Sequence, residues 1–109
     1  MRNQPIRSVV IGNKRWKFVR RSIKAKSESG HPVFGLCDPP DAPNKTITVE
    51  KRLRGKLEMD TTIHEVVHAA LWEVLAEEFV ERMATDITNV LWRMGYRKPP
   101  EHECQDSEL

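Results

Sequence analysis

The chain has 109 residues, 39% of them hydrophobic and 31% charged, with a formal net charge of +2. That length suits one domain and not two, and the composition is that of a folded chain rather than a disordered one. Apolar runs of only a few residues exclude a membrane-spanning helix, Met1 to Pro5 has no signal-peptide core, and Cys37 and Cys104 fit no paired-ligand spacing, so a cytoplasmic chain with free thiols is expected.

Residues 1–7 read as a loose start. Val9-Val10-Ile11 and Trp16-Lys17-Phe18-Val19 are strand-like, with Gly12-Asn13 suited to a tight turn between them. Residues 24–32 are polar and read as a loop. Val33 to Cys37 predicts a short strand, and residues 38–44, with three prolines, break the chain. Thr46-Ile47-Thr48-Val49-Glu50 alternates and is β-branched, the clearest strand of the chain. It is a candidate edge strand for holding an extended peptide. Residues 51–57 lead out through Gly55.

The C-terminal half changes character, with no Gly or Pro from Glu58 to Met94. Asp60 or Thr61 is placed to cap a helix. Ile63, Val67, Ala70 and Val74 form one apolar stripe at helical spacing. Val80, Met83, Ala84, Ile87, Leu91 and Met94 form a second, out of phase with the first. In phase, the first stripe would run into Glu77 or Glu78, Glu81, Thr85 and Thr88. Two helices with a break near residues 72–77 account for the mismatch. Gly95 is a C-terminal cap, and Pro99 to Leu109 reads as a mobile acidic tail. Trp72 and Trp92 read as core residues.

Charge divides with the same boundary. Residues 1–57 hold 14 Lys/Arg and 4 Asp/Glu, a net +10, and residues 58–109 hold 4 and 12, a net −8. Attraction between the halves of one fold is the plain reading. The sharper one is a nucleic-acid or acidic-protein contact through the basic half.

The chemistry-bearing stretch is His64-Glu65-Val66-Val67-His68. Residues four apart on a helix share a face, so both imidazoles can bind one ion. Zinc suits two imidazoles and needs a third protein ligand plus an open position for water. Glu65 lies beside that face, where a carboxylate serves as general base. The pattern arises by accident in on the order of a few per thousand chains of this length, and here it sits inside an amphipathic helix. Leu71 and Val74 stand where an extended motif would place Gly and His. The third ligand is therefore sought among Glu77, Glu78 and Glu81. Glu81 is preferred because it adjoins Val80, Met83 and Ala84 at the core boundary, where a carboxylate needs a partner. Cys37 reads as an inert thiol rather than a ligand. Tyr96 and His31 have only their residue type to suggest a role at an oxyanion.

From Val33 to Tyr96 the chain resembles the minimal gluzincin peptidases, in particular ImmA/IrrE-like and small phage-encoded metallopeptidases. The residues that carry the resemblance are Lys45-Thr46-Ile47-Thr48-Val49, the His64–His68 motif, and Glu81-Arg82-Met83-Ala84. Twelve residues separate His68 from Glu81, a shorter interval than that family's. The resemblance implies His64, His68 and a downstream Glu as zinc ligands, Glu65 as base, and a protein or peptide substrate inside the cell. The expectation is thus an α+β domain over residues 1–98, a small antiparallel sheet packed on two C-terminal helices, acting as a zinc metallopeptidase. The alternative is a non-catalytic module that binds nucleic acid or a protein partner, with structural zinc or none.

Overall fold

A computed structural model describes residues 7–24, 30 and 33–99. The expectations for the first residues, for most of the loop at 24–32 with His31, and for the tail beyond Pro99 with Cys104 lie outside them.

Four strands precede two helices: β1 (Arg7–Ile11), β2 (Lys14–Arg21), β3 (Gly35–Cys37), β4 (Thr46–Glu50), α1 (Gly55–Ala70) and α2 (Glu77–Arg93). Gly12 and Asn13 join β1 to β2 with φ of 58° and 63°. Two consecutive positive φ values are what a two-residue hairpin turn requires, and Gly and Asn tolerate them best. The sheet order is β1-β2-β4-β3. Its outer pairs are antiparallel, as expected, but β2 and β4 run parallel, so the sheet is mixed. A parallel pair needs a crossover, which the long polar connection from Arg21 through β3 supplies. Thr46–Glu50 is consequently an interior strand, not an edge. The edge strand on that side is β3.

Alternation assigns the faces. Trp16, Ile47 and Val49 are fully buried and pack with Leu53 and Ala69, with Ile11, Phe18, Phe34, Cys37 and Val66 at the margin. The helix α1 lies on this face.

The helix begins at Gly55, well before the expected cap at Asp60 or Thr61. Leu57, Glu58 and Met59 contain nothing that stops a helix. The buried Glu58 finds a reason to be helical in Arg20, whose Nε stands 3.4 Å away, and in Lys98, whose Nζ donates to it at 2.9 Å.

The break between helices falls at residues 71–76, where expected. The chain reverses through Leu71 N–H to Val67 O and Val74 N–H to Leu71 O. The helix α2 then runs back antiparallel along α1. Thr85 Oγ1 donates to Asp60 at 3.4 Å, and Trp92 lies over Gly55.

The side of α2 that α1 covers is Val80, Ala84 and Thr88, all essentially closed to solvent. Thr88, left out of the apolar stripe by its polarity, is nonetheless buried there. Phe79, Ile87, Val90 and Met94 remain exposed. Gly95, with φ 95°, ends α2. Its N–H bonds to Trp92 O and that of Tyr96 to Leu91 O, the pair of bonds that satisfies orphan carbonyls at a glycine-terminated helix. No helix among the described residues is long and apolar enough to cross a membrane.

Candidate metal centre

His64 and His68 sit one turn apart on α1, and their rings lie edge-on with centroids 4.8 Å apart. Both point toward the start of α2. There Glu77, the first residue of that helix, holds one oxygen 2.9 Å from His64 Nε2 and the other 2.7 Å from His68 Nε2. These three residues each offer a donor atom within 4.8 Å of the other two. Four-coordinate zinc binds imidazole nitrogen and carboxylate oxygen at about 2.0–2.2 Å, and two nitrogens plus a carboxylate are a donor set it accepts. Binding an ion there requires both Nε2 atoms free of protons and the carboxylate ionised.

The position of Glu77 follows from the reversal at 71–76. Because α2 starts immediately after it, residue 77 lies level with the two histidines. Each further residue moves about 1.5 Å toward the N-terminal end of α1. Glu81, the preferred third ligand from sequence, is therefore about 6 Å beyond the histidines. It lines a cleft of about 530 Å³ with Asp60, Thr61, Thr85, His64, Glu65 and Glu77 and takes no part in the cluster. The core-boundary argument for Glu81 fails because α2 presents Val80 and Ala84, not residue 81, to α1. Glu81 is exposed and solvated, as is Glu78.

Glu65 is 7% exposed and has no hydrogen-bond partner among the described residues. Burial, and then the negative charge of Glu77, push its carboxyl up to about 7. Glu65 borders both the 530 Å³ cleft and a second one of about 370 Å³, which is lined by Gly35, Leu36, Cys37, His64, His68, Trp72 and Glu77.

The β3 edge forms one wall of these clefts. A Cβ on Gly35 would meet Glu65 Oε2 at 2.6 Å and Cγ at 2.8 Å. The strand passes close enough to the carboxyl that only glycine leaves it room. Glu50 N–H donates to Phe34 O and Asp38 N–H to Thr46 O. By alternation the backbone of Gly35 and Cys37 faces away from β4, toward the edge that no other described strand pairs with.

Cys37 is half-buried, donates to Asp38 O at 3.4 Å, and has its thiol pushed up to about 12 by burial, then by Glu65 and Asp38. It is a neutral thiol at the cleft wall and not a ligand of the cluster. Trp72 lines the cleft, its ring 6.2 Å from that of His68, rather than the core. Trp92 is half-buried with Arg97 stacked on it at 3.4 Å. Tyr96 is exposed just past α2, outside the residues that line these clefts.

Sequence reasoning had no signal for Gly35, since a three-residue strand announces neither its neighbour nor its closeness. The convergence of Glu77 depended on where α2 begins, which apolar spacing fixes only to within a turn. No family model, no curated protein and no solved structure matches the chain.

Proposed function

We propose that this protein is a zinc-dependent peptide hydrolase, with His64, His68 and Glu77 as zinc ligands and Glu65 as general base. The observation that carries the reading is the convergence of both Nε2 atoms on the Glu77 carboxylate, beside the buried carboxyl of Glu65, which has no hydrogen-bond partner among the described residues. Two imidazoles and one carboxylate leave a fourth position for water, the arrangement of a catalytic rather than a structural zinc site.

Bound zinc supplies a Lewis acid that brings the pKa of a water near 7. Glu65 accepts the proton of the attacking water and passes it to the leaving amine, and a carboxyl raised by burial suits both transfers near neutral pH. The edge of β3, which no other described strand pairs with, is placed to pair with an extended peptide, its outward Gly35 and Cys37 backbone groups supplying the hydrogen bonds. That role moves from Thr46–Glu50, where the sequence suggested it, to the neighbouring strand.

Protein purified without added zinc is expected to hold about one zinc per chain, lost in His64→Ala. Glu65→Gln is expected to keep the metal and to lose at least about a hundredfold in cleavage of a random peptide mixture read by mass spectrometry. Equal cleavage by Glu65→Gln and the unaltered chain overturns the assignment.

A further inference from the structure

The β1–β2 hairpin lies toward the opposite edge of the sheet from β3, with β2 two strand spacings and β1 three from it, or about 10 and 14 Å. From Arg7 to Arg21 it contains six Lys/Arg and no Asp or Glu. The pairing register sets Ser8 opposite Lys17 and Val10 opposite Arg15. These residues, with Val19 and Arg21, therefore share the face turned away from α1. Arg15, Lys17 and Arg21 are exposed there, spread over about 20 Å of strand at roughly 3.3 Å per residue. Arg15 donates to Ser8 Oγ at 2.9 Å, which orients its guanidinium along the ribbon. The one acid in register with this face is Glu50, opposite Arg21. Its carboxylate is 1% exposed and already engaged by Arg52 and by the N–H of Ile23.

A cationic ribbon with no carboxylate of its own complements a polyanion. The kind of polyanion follows from what the ribbon lacks. Single strands are held by exposed aromatic rings on which bases stack, and the aromatic residues of β2, Trp16 and Phe18, face the core. The deep, narrow major groove of an RNA duplex does not admit side chains. The major groove of B-form DNA is about 12 Å wide and admits a two-stranded ribbon.

We propose that the β1–β2 ribbon docks on duplex DNA, with Arg15, Lys17 and Arg21 against backbone phosphates. The surface is separate from the metal centre and its occupation does not depend on zinc.

The test is fluorescence anisotropy of the full chain with a labelled 20-base-pair DNA duplex from 50 to 200 mM NaCl. Three neutralised phosphates give a slope of log affinity against log salt of about −2.7, or about a fortyfold weakening over that range. Lys17→Ala/Arg21→Ala is expected to weaken binding at least tenfold at 50 mM and to make the slope about two units shallower. Lys56→Ala, on α1, is expected to bind as the unaltered chain does, and chelator is expected to change nothing. If the double variant melts early, Lys17→Gln and Arg21→Gln singly should each remove about one unit of slope. Absence of binding at 50 mM overturns the proposal, as does an unchanged slope in these variants. Equal or tighter binding of a single-stranded 20-mer or of an RNA duplex of the same length also overturns it.

Discussion

Gly35 and Glu65 are in such close approach that a methyl group on the first would stand 2.6 Å from the carboxylate of the second. The edge strand and the helix thereby fix the position of the Glu65 carboxyl. Gly35→Ala must displace Glu65 beyond its carboxylate tip, because its Cγ is also within 2.8 Å of the new methyl. Overpacking of this kind costs about 1–3 kcal/mol. The variant is expected to keep its zinc, melt lower, and lose at least about tenfold in peptide cleavage, since small misplacements of a catalytic group are costly. Zinc content together with turnover of the random peptide mixture checks this. Unaltered turnover would show that Glu65 is not held by the strand.

The two acidic candidates on α2 separate by substitution. Glu77→Ala is expected to lower zinc affinity by at least about a hundredfold, because it leaves two imidazoles alone on the ion. Glu81→Ala is expected to leave affinity unchanged. Competition against a zinc chelator measures both. The reverse order of effects would restore Glu81 as the ligand.

Thr88 is 1% exposed and its hydroxyl has no hydrogen-bond partner among the described residues. A buried donor left unsatisfied costs about 1–3 kcal/mol. Thr88→Val keeps the shape and removes the hydroxyl, and helix propensity barely changes. It is expected to stabilise the protein by about 1 kcal/mol in denaturant unfolding. A loss of stability would mean that the hydroxyl is in fact satisfied.

Glu50 gives the protein an acid-sensitive point. Its carboxylate accepts from Arg52 Nε at 2.9 Å, from Arg52 N–H at 3.1 Å and from Ile23 N–H at 2.9 Å. These bonds, the Arg52 side chain foremost, lower its pKa from 4.5 to about 2. Since the folded-state value is depressed, the contribution to stability is complete above the unfolded value near 4.5. It is lost as pH falls from there toward 2. Glu50→Gln is expected to be less stable than the unaltered chain at pH 7, with the gap closing between pH 4.5 and 2. Denaturant midpoints across that range read it directly. A gap that stays constant with pH would contradict the assignment.

Much of the fold was legible because local rules and packing agree. Thr46–Glu50 alternates in sequence and is a strand. Gly12-Asn13 demands a tight turn and makes one. The mismatch between the stripe of Ile63 and Val67 and that of Val80 and Ala84 marks a real reversal. The parallel pairing of β2 with β4 was not legible, since register between distant strands leaves no periodic trace. At the site, His64, Glu65 and His68 could be singled out because helical spacing alone brings them together. Glu77 could not be separated from Glu81, because a shift of one turn in the start of α2 exchanges them. Thr88 shows the same limit from the other side: its polarity kept it out of the apolar stripe, while packing buries it.

The central claim is a zinc ion held between α1 and the first turn of α2. Anomalous diffraction at the zinc edge, on crystals of the full chain grown with zinc, tests it most directly. One strong peak is expected, bonded to Nε2 of His64, Nε2 of His68 and a carboxylate oxygen of Glu77, with a solvent molecule completing the tetrahedron and Glu65 beside it. A peak elsewhere, a fourth protein ligand closing the site, or the absence of any peak between His64 and His68 would contradict it.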